Sequence, residues 1–490
     1  MTCRATIYAI LTLIFLTKAL APSHVKAENT SSFNLLVSSI QTAIRHAGPT
    51  ASESGIYVSS LSDDHVVFRH NSNRQYIVAS NAKLLTTAAA LVRLGPDFTF
   101  RTTLYSNGDT NDGTLHGDLV LQGNGDPSLS GRFFNGNSLL IPQQWVEAIK
   151  RAGINRISGD IIVDDSAFDR HYVHNDWPQA QLSRWYCSQV SALSFNDNCL
   201  DILVLPGHAV GRPAQIAASP LTSYVRLLNK CRTTTGNRNI SVHRDHGSNV
   251  ITVSGKCPLG SEPTQISATI HAPPLFLGTI LAERLQANRI PFEGHVRFQN
   301  GYDEPLKPLT VVATTTSHLK DAIRIANSRS QNFYAEQIFK ALGAKDAGNG
   351  SFRSGAIAVT DFLISIGLPK NSLTVADGCG LSRQNRYSPR QIVAVLTYMY
   401  GHQYSETFIN SLAAGGSPNG SLRNRFQKHC LRRQLRAKTG SLSGVSTLSG
   451  YVIRPNGNSY AFSILSNSGS TARSRRMQDA IVEALLEHAP

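Results

Sequence analysis

The chain has 490 residues, with 47 Lys+Arg against 32 Asp+Glu for a formal charge of +15, and 41% of its residues are apolar. That length predicts about three domains, and the balanced apolar, Gly and Pro content excludes a disordered or low-complexity chain. Only 16% of the residues are charged, so the basic excess reflects scarce acids and suits an acidic partner: nucleic acid, an anionic surface or an acidic small polymer.

Met1-Thr2-Cys3-Arg4 forms a short positive segment ahead of an apolar run over 5–16, with small-residue sites at Ala19-Leu20-Ala21 and Val25-Lys26-Ala27. This is the layout of a secretory signal peptide, and cleavage after Ala27 is preferred because Pro22 would directly follow the earlier site. The run falls short of the ~20 apolar residues that a membrane span needs. The chain is therefore expected in the periplasm, and nucleic acid is not expected as its partner. Removing the leader takes away Cys3 and leaves Cys187, Cys199, Cys231, Cys257, Cys379 and Cys430. An even number in an oxidising compartment suggests disulfides, and nearest-neighbour pairing (Cys187–Cys199, Cys231–Cys257, Cys379–Cys430) is the expectation. With no CxxC spacing and no HExxH, no metal and no cofactor are expected.

Phe33, Leu36, Val37, Ile40 and Ile44 recur at helical spacing, so a helix is predicted over 33–47, ending at Gly48-Pro49. The runs 55–59 and 66–68 flank the turn Ser62-Asp63-Asp64 and read as a hairpin. A second helix is predicted over 80–94, with Leu84, Ala88, Leu91 and Val92 as its buried stripe. From 97 to 310 short apolar runs alternate with Gly/Asp/Asn turns, as at 117–121, 159–163 and 201–205, giving a β-rich region. Helical spacing returns at Leu319, Ile323 and Ala326 and over 333–342. The last stretch predicts a strand at 436–440, a hairpin of 447–453 and 460–465 across Pro455-Asn456-Gly457-Asn458, and a closing helix with Met477, Ile481, Ala484 and Leu485 on one side. One α/β domain whose halves are separated by a β-rich insertion accounts for this order.

Three short motifs carry chemistry. In Ser80-Asn81-Ala82-Lys83, helical i, i+3 spacing lets the Lys ammonium reach the Ser hydroxyl. The helix start also favours a developing alkoxide. Serine needs an adjacent base, and lysine serves only if burial or cationic neighbours depress its pKa. Ser330-Gln331-Asn332 precedes the helix at 333, and Lys438-Thr439-Gly440 lies on the predicted strand. Each motif alone is weak, but the order SxxK, SxN, KTG matches the set of active-site serine penicillin-recognising enzymes.

The surroundings narrow this match. The segment 437–446 (AKTGSLSGVS), Asp377-Gly378-Cys379-Gly380-Leu381-Ser382-Arg383, the stretch 192–199 (ALSFNDNC) and Gly420-Ser421-Leu422 closely resemble D-alanyl-D-alanine carboxypeptidases/endopeptidases of the class C low-molecular-mass penicillin-binding type. Cys379 stands where that family usually has Ser, and Gln331 where it often has Asp. The 250 positions separating Ser80 from Ser330 are similar to the family's large insertion.

The resemblance implies an α/β (α+β) penicillin-recognising fold, an antiparallel sheet with flanking helices. With the signal peptide over 1–27, the domains expected are a catalytic domain from 28–96 and 306–490 and inserted domains from 97–205 with 290–305 and from 206–289. The resemblance also implies a serine DD-peptidase in which Ser80 is acylated, Lys83 is the general base and Ser330 relays a proton to the leaving amine. Asn332 would hold the substrate amide and Lys83, and Lys438 with Thr439 the substrate carboxylate. The Ser80 and Ser441 N–H groups would form the oxyanion hole beside Gly440. Asp197 would meet a diaminopimelate amine or hold an Asx turn. The implied partners are peptidoglycan stem peptides and crosslinks, and β-lactam antibiotics; weak membrane association and a homodimer stay open. Arg423, Arg425, Lys428, Arg432, Arg433 and Arg436 crowd the approach to Lys438, either to attract acidic stem peptides or as a solvated basic face. A serine β-lactamase shares all three motifs, but the long insertion and the lack of a Glu-x-x-Leu-Asn element favour the peptidase. An idle wall-binding protein would not need the full set of Ser, Lys, Asn and Thr.

Overall fold

The computed structural model describes residues 21–488 apart from 133, 300–308, 428–429 and 455–457. The positive segment and apolar run of the expected leader, and the Pro455-Asn456-Gly457 part of the C-terminal turn, lie outside the described residues. The described chain forms two compact units, one from residues up to 76, 388–397 and 413 onward, the other from 77–387 and 398–412.

The first unit holds a six-stranded antiparallel sheet in the order Ala413–Ala414, Leu435–Leu442, Val445–Val452, Tyr460–Ser466, Ser54–Ser60, Val66–His70. The strand from the start of the chain pairs with one near its end, Tyr57 opposite Ser463. The helix Ala21–Ala47 and the closing helix Thr471–His488 pack together. Leu36, Ile40 and Ala43 of the first share a core with Met477, Ile481 and Leu485 of the second. The predicted stripe is shifted by this packing: Leu36 and Ile40 are buried while Phe33 and Ile44 are only partly so.

The second unit contains a mixed six-stranded sheet whose main path runs Val296–Phe298, Ile161–Asp164, Thr114–Gly123, Thr99–Asn111, Thr310–His318. Two three-stranded sheets built from 199–269 accompany it. Two helices that the alternating texture did not reveal, Leu140–Arg151 and Pro273–Ala287, bury Trp145, Ile149, Phe276 and Leu277 in the same core as Leu119, Ile161 and Val163. Four further helices, Ala82–Leu94, Leu319–Ser328, Asn332–Ala347 and Phe352–Ser365, pack on one another. Ala82–Leu94 is central among them, so every residue from Ala82 to Leu91 is buried, not one stripe.

The expected disulfides are not formed. Cys187, Cys199, Cys231, Cys257 and Cys379 are all buried free thiols. Cys231 faces Gly255 rather than Cys257 in the parallel ladder, a two-residue offset that spreads the Cα atoms beyond ordinary disulfide reach. Cys379 lies in a fully buried loop, and burial holds its thiol pKa well above the ordinary range.

Candidate active site

Ser80 sits in a single 3-10 turn, Ala79–Asn81, that feeds directly into the helix Ala82–Leu94. Ala79 adopts a left-handed φ of 47°, which bends the chain so that Ser80 stays partly exposed while its neighbours are buried. One turn on, Lys83 is 0% exposed. Its Nζ donates to Ser80 Oγ at 3.0 Å, Asn332 Oδ1 at 2.7 Å and the Cys379 carbonyl at 2.7 Å. An ammonium has three donors, and all three are used.

Ser330 and Asn332 bracket the start of the helix Asn332–Ala347. Ser330 has a φ of 60°, a conformation that non-glycine residues hold only when their surroundings enforce it. The Asn332 amide donates from Nδ2 to the Tyr186 carbonyl at 2.8 Å, which fixes its oxygen toward Lys83.

This arrangement decides where a proton can go. Asn332 Oδ1 and the Cys379 carbonyl can only accept hydrogen bonds, whereas the Ser80 hydroxyl can also donate. A neutral Lys83 amine keeps two N–H groups for the first two and turns its lone pair to Ser80. Burial, the largest influence, lowers the Lys83 pKa, while the nearby Cys379, Glu336 and Asp377 oppose this. The pair thus has the geometry and the pKa direction of an activated serine nucleophile.

The Cys379 carbonyl is held by side chains that motif reading did not single out. Glu336 lies one turn beyond Asn332 and is 0% exposed. Its two carboxylate oxygens accept the Gly378 N–H at 3.1 Å and the Cys379 N–H at 2.7 Å. Asp377 accepts the N–H groups of Gly380 and Ser382, the Asn385 amide and the Trp177 indole N–H. Glu336, Asp377 and Cys379 bring ligand-type atoms within 4.8 Å of one another. The carboxylate oxygens, however, are committed to these N–H donors, so the group serves to anchor the loop.

Asp197 is buried among three consecutive left-handed residues, Asn196, Asp197 and Asn198. It pairs with Arg132 at 3.1 Å and accepts from the Tyr334 hydroxyl at 3.3 Å. Arg132 also lines a cavity with Gln181, Arg184, Trp185, Tyr186 and Gln331. The structure thus ties Asp197 to the helix that carries Asn332.

In the first unit, Lys438, Thr439, Gly440 and Ser441 lie on the strand Leu435–Leu442, facing Ser449, Leu448, Thr447 and Ser446 of the next strand. Lys438 is buried and donates to the Thr439 carbonyl at 2.7 Å. Thr439 is half-buried and Ser441 exposed. Among the basic residues nearby, Arg425 is taken up by Asp479 at 2.5 Å.

A serine at a helix start, bonded to a fully buried lysine that is also held by an asparagine, defines an active-site serine enzyme. The family of D-Ala-D-Ala carboxypeptidase 3 (S13) matches residues 36–488, and the chain belongs to it; it is a serine peptidase of the D-Ala-D-Ala carboxypeptidase class. It is similar to a D-alanyl-D-alanine carboxypeptidase of an Actinomadura species, 30% identical over 449 residues that cover 89% of this chain and 81% of the relative. A D-alanyl-D-alanine carboxypeptidase of Haemophilus influenzae is 26% identical over 436 residues, 86% of this chain and 87% of the relative. The crystal structure of penicillin binding protein 4 from Haemophilus influenzae has the same mixed α/β fold, with TM-score 0.76 at 23% identity over 88% of this chain and 96% of that one. A structure of that protein complexed with a novel β-lactam gives TM-score 0.71.

Proposed function

We propose that this carboxypeptidase is an exported peptidoglycan hydrolase that removes the terminal D-Ala of stem peptides and also cuts D-Ala–diaminopimelate crosslinks. Penicillins would acylate the same serine. The observation that carries this reading is the fully buried Lys83 hydrogen-bonded at once to Ser80, Asn332 and the Cys379 carbonyl.

Neutral Lys83 takes the Ser80 proton as Oγ attacks the carbonyl carbon of the penultimate D-Ala. The oxyanion is assigned to the N–H groups of Ser80 and Ser441, each such donor contributing roughly 3–4 kcal/mol to the transition state. The C–N bond then breaks, and the proton passes from Lys83 by way of Ser330 to the leaving amine. Water adds to the acyl-enzyme, the shortened peptide leaves as its carboxylic acid, and Ser80 recovers its proton. Lys438 and Thr439 are assigned to the terminal carboxylate of the substrate, and Asn332 to its amide.

Residues 1–27 have the layout of a secretory leader, which supports a periplasmic site of action. No described helix is long and apolar enough to cross a membrane. The test is labelling with a fluorescent penicillin, wild type beside Ser80→Ala, followed by mass spectrometry of digested crosslinked muropeptides. A stable adduct on wild type alone, with loss of D-Ala and of crosslinked dimers, is expected. Rapid penicillin turnover without an adduct, or a labelled Ala variant, would overturn it.

A further inference from the structure

The loop 377–380 is wedged between the two helices that carry the catalytic motifs. From the SxxK helix, Thr86, one turn beyond Lys83, donates its hydroxyl to the Gly378 carbonyl at 2.9 Å. From the SxN helix, Glu336 receives the Gly378 and Cys379 N–H groups on its two oxygens. A Cβ at Gly378 would meet the Phe339 Cβ of that same helix at 2.6 Å, so the loop backbone rests directly on it. The peptide carbonyl that this clamp orients, that of Cys379, is one of the three acceptors around Lys83 Nζ.

We propose that Glu336 is a positioning residue for acylation: by fixing the Cys379 carbonyl against the helix that carries Asn332, it makes one rigid element set both non-serine partners of Lys83. The inference rests on the serine-acylation reading above. Asn332 and Glu336 stand four residues apart on one helix, and i, i+4 side chains share a face. Both acceptors of the lysine therefore move with that helix, and the direction left for the amine lone pair is the one toward Ser80.

The residue type follows from the task. Two adjacent buried backbone N–H groups need two adjacent acceptors, and leaving one unpaired is destabilising. A carboxylate supplies both, whereas a carboxamide supplies one and opposes the other with its own NH2. The charge matters as well. The groups that influence this carboxyl or are influenced by it are Lys83, Asp377, Cys379 and, one turn further along the helix, Lys340. Its negative form holds the Lys83 proton more firmly. Glu336 thus sets both the aim of Lys83 and the pH at which it becomes a base.

The experiment measures the second-order rate of Ser80 acylation by fluorescent penicillin across pH, on full-length wild type, Glu336→Gln and Glu336→Asp, with Tm recorded for each. In Glu336→Gln the plateau rate is expected to fall by about tenfold or more, the effect of one lost buried hydrogen bond. The acid limb is expected to move to lower pH because the opposing charge is gone. Glu336→Asp keeps the charge and should hold the limb in place with a plateau between the other two. A folded Glu336→Gln with the wild-type plateau and an unmoved limb overturns the proposal, as does a loss that only tracks the unfolded fraction. If Glu336→Gln does not fold, a wild-type plateau in Glu336→Asp overturns it. Wild type that takes no label at Ser80 would overturn the serine reading and this proposal together, whereas labelled wild type beside unaltered variants sinks only this one.

Discussion

Gly380 lies against Ala79 so closely that a Cβ on it would stand 1.8 Å from the Ala79 carbonyl oxygen. The same residue has a φ of 82°, a conformation in which a side chain is strained wherever there is room for it. The loop that presents the Cys379 carbonyl therefore also braces the turn that presents Ser80, from the residue just before it. Gly380→Ala should shift that turn and lower penicillin acylation by at least about tenfold, since an ångström-scale displacement of a reacting group has effects of this order or larger. The control is Gly348→Ala. Gly348 caps the SxN helix with a φ of 71° and has nothing within 4 Å of its Cβ position. It should lower stability by about 1 kcal/mol and leave the acylation rate of folded protein unchanged.

Lys83 gives a pH signature. Because burial lowers its pKa, the neutral base is present at lower pH than for a free lysine, which titrates near 10.4. Acylation should rise with pH to a midpoint below that value. Lys83→Met should reduce the plateau by about 10²–10⁴-fold, the usual contribution of a general base, with folding intact by circular dichroism. A rate that keeps rising through the ordinary lysine range would contradict the assignment.

The catalytic motifs were legible because SxxK depends only on local helical spacing, and the KTG strand announces itself by its position before a hairpin. The rest of the pocket around Lys83 was not, for physical reasons. Two of its groups, the Cys379 carbonyl that accepts from Lys83 and the Tyr186 carbonyl that accepts from Asn332, are backbone groups without a side-chain signature. Glu336 sat inside the apolar run of a predicted helix, and its one available signal was the four-residue spacing from Asn332. The helix Leu140–Arg151 did carry a period in Ile141, Trp145 and Ile149, hidden by the turn-rich texture around it. Pro273–Ala287 is almost wholly apolar up to Ala282, and its charged residues Glu283 and Arg284 come only near its end, so no clean stripe marks it. The disulfide expectation rested on counting cysteines, which says nothing about where the Cβ atoms point.

The buried thiols make a direct assay. Burial raises the Cys187 pKa to about 12 and holds Cys199 and Cys379 high as well. Without a reductant, native protein should react slowly with a thiol reagent at neutral pH, and denatured protein should release at least the five free thiols. Fewer than five in denaturant would indicate crosslinks.

Arg132 and Asp197 form an ion pair whose carboxylate is nearly inaccessible, with side-chain exposures of 29% and 7%. Removing the arginine leaves that carboxylate unpaired. Arg132→Met should destabilise by about 2 kcal/mol, discounted from the fully buried case because the arginine is partly exposed. Asp197→Asn in the same chain should restore part of the loss. A double variant as unstable as the sum of the singles would show that the two side chains do not interact.

The hydrogen bonds that join Lys83 to Asn332 and to the Cys379 carbonyl span 249 and 296 residues of sequence. Contacts of such separation are slow to form, because the entropy of closing so long a loop must be overcome before they reward the chain. Secondary structure can be complete while the nucleophile is still inert. In a refolding time course, penicillin labelling should therefore lag behind the recovery of the far-ultraviolet signal, so the antibiotic doubles as a clock for the last step of folding.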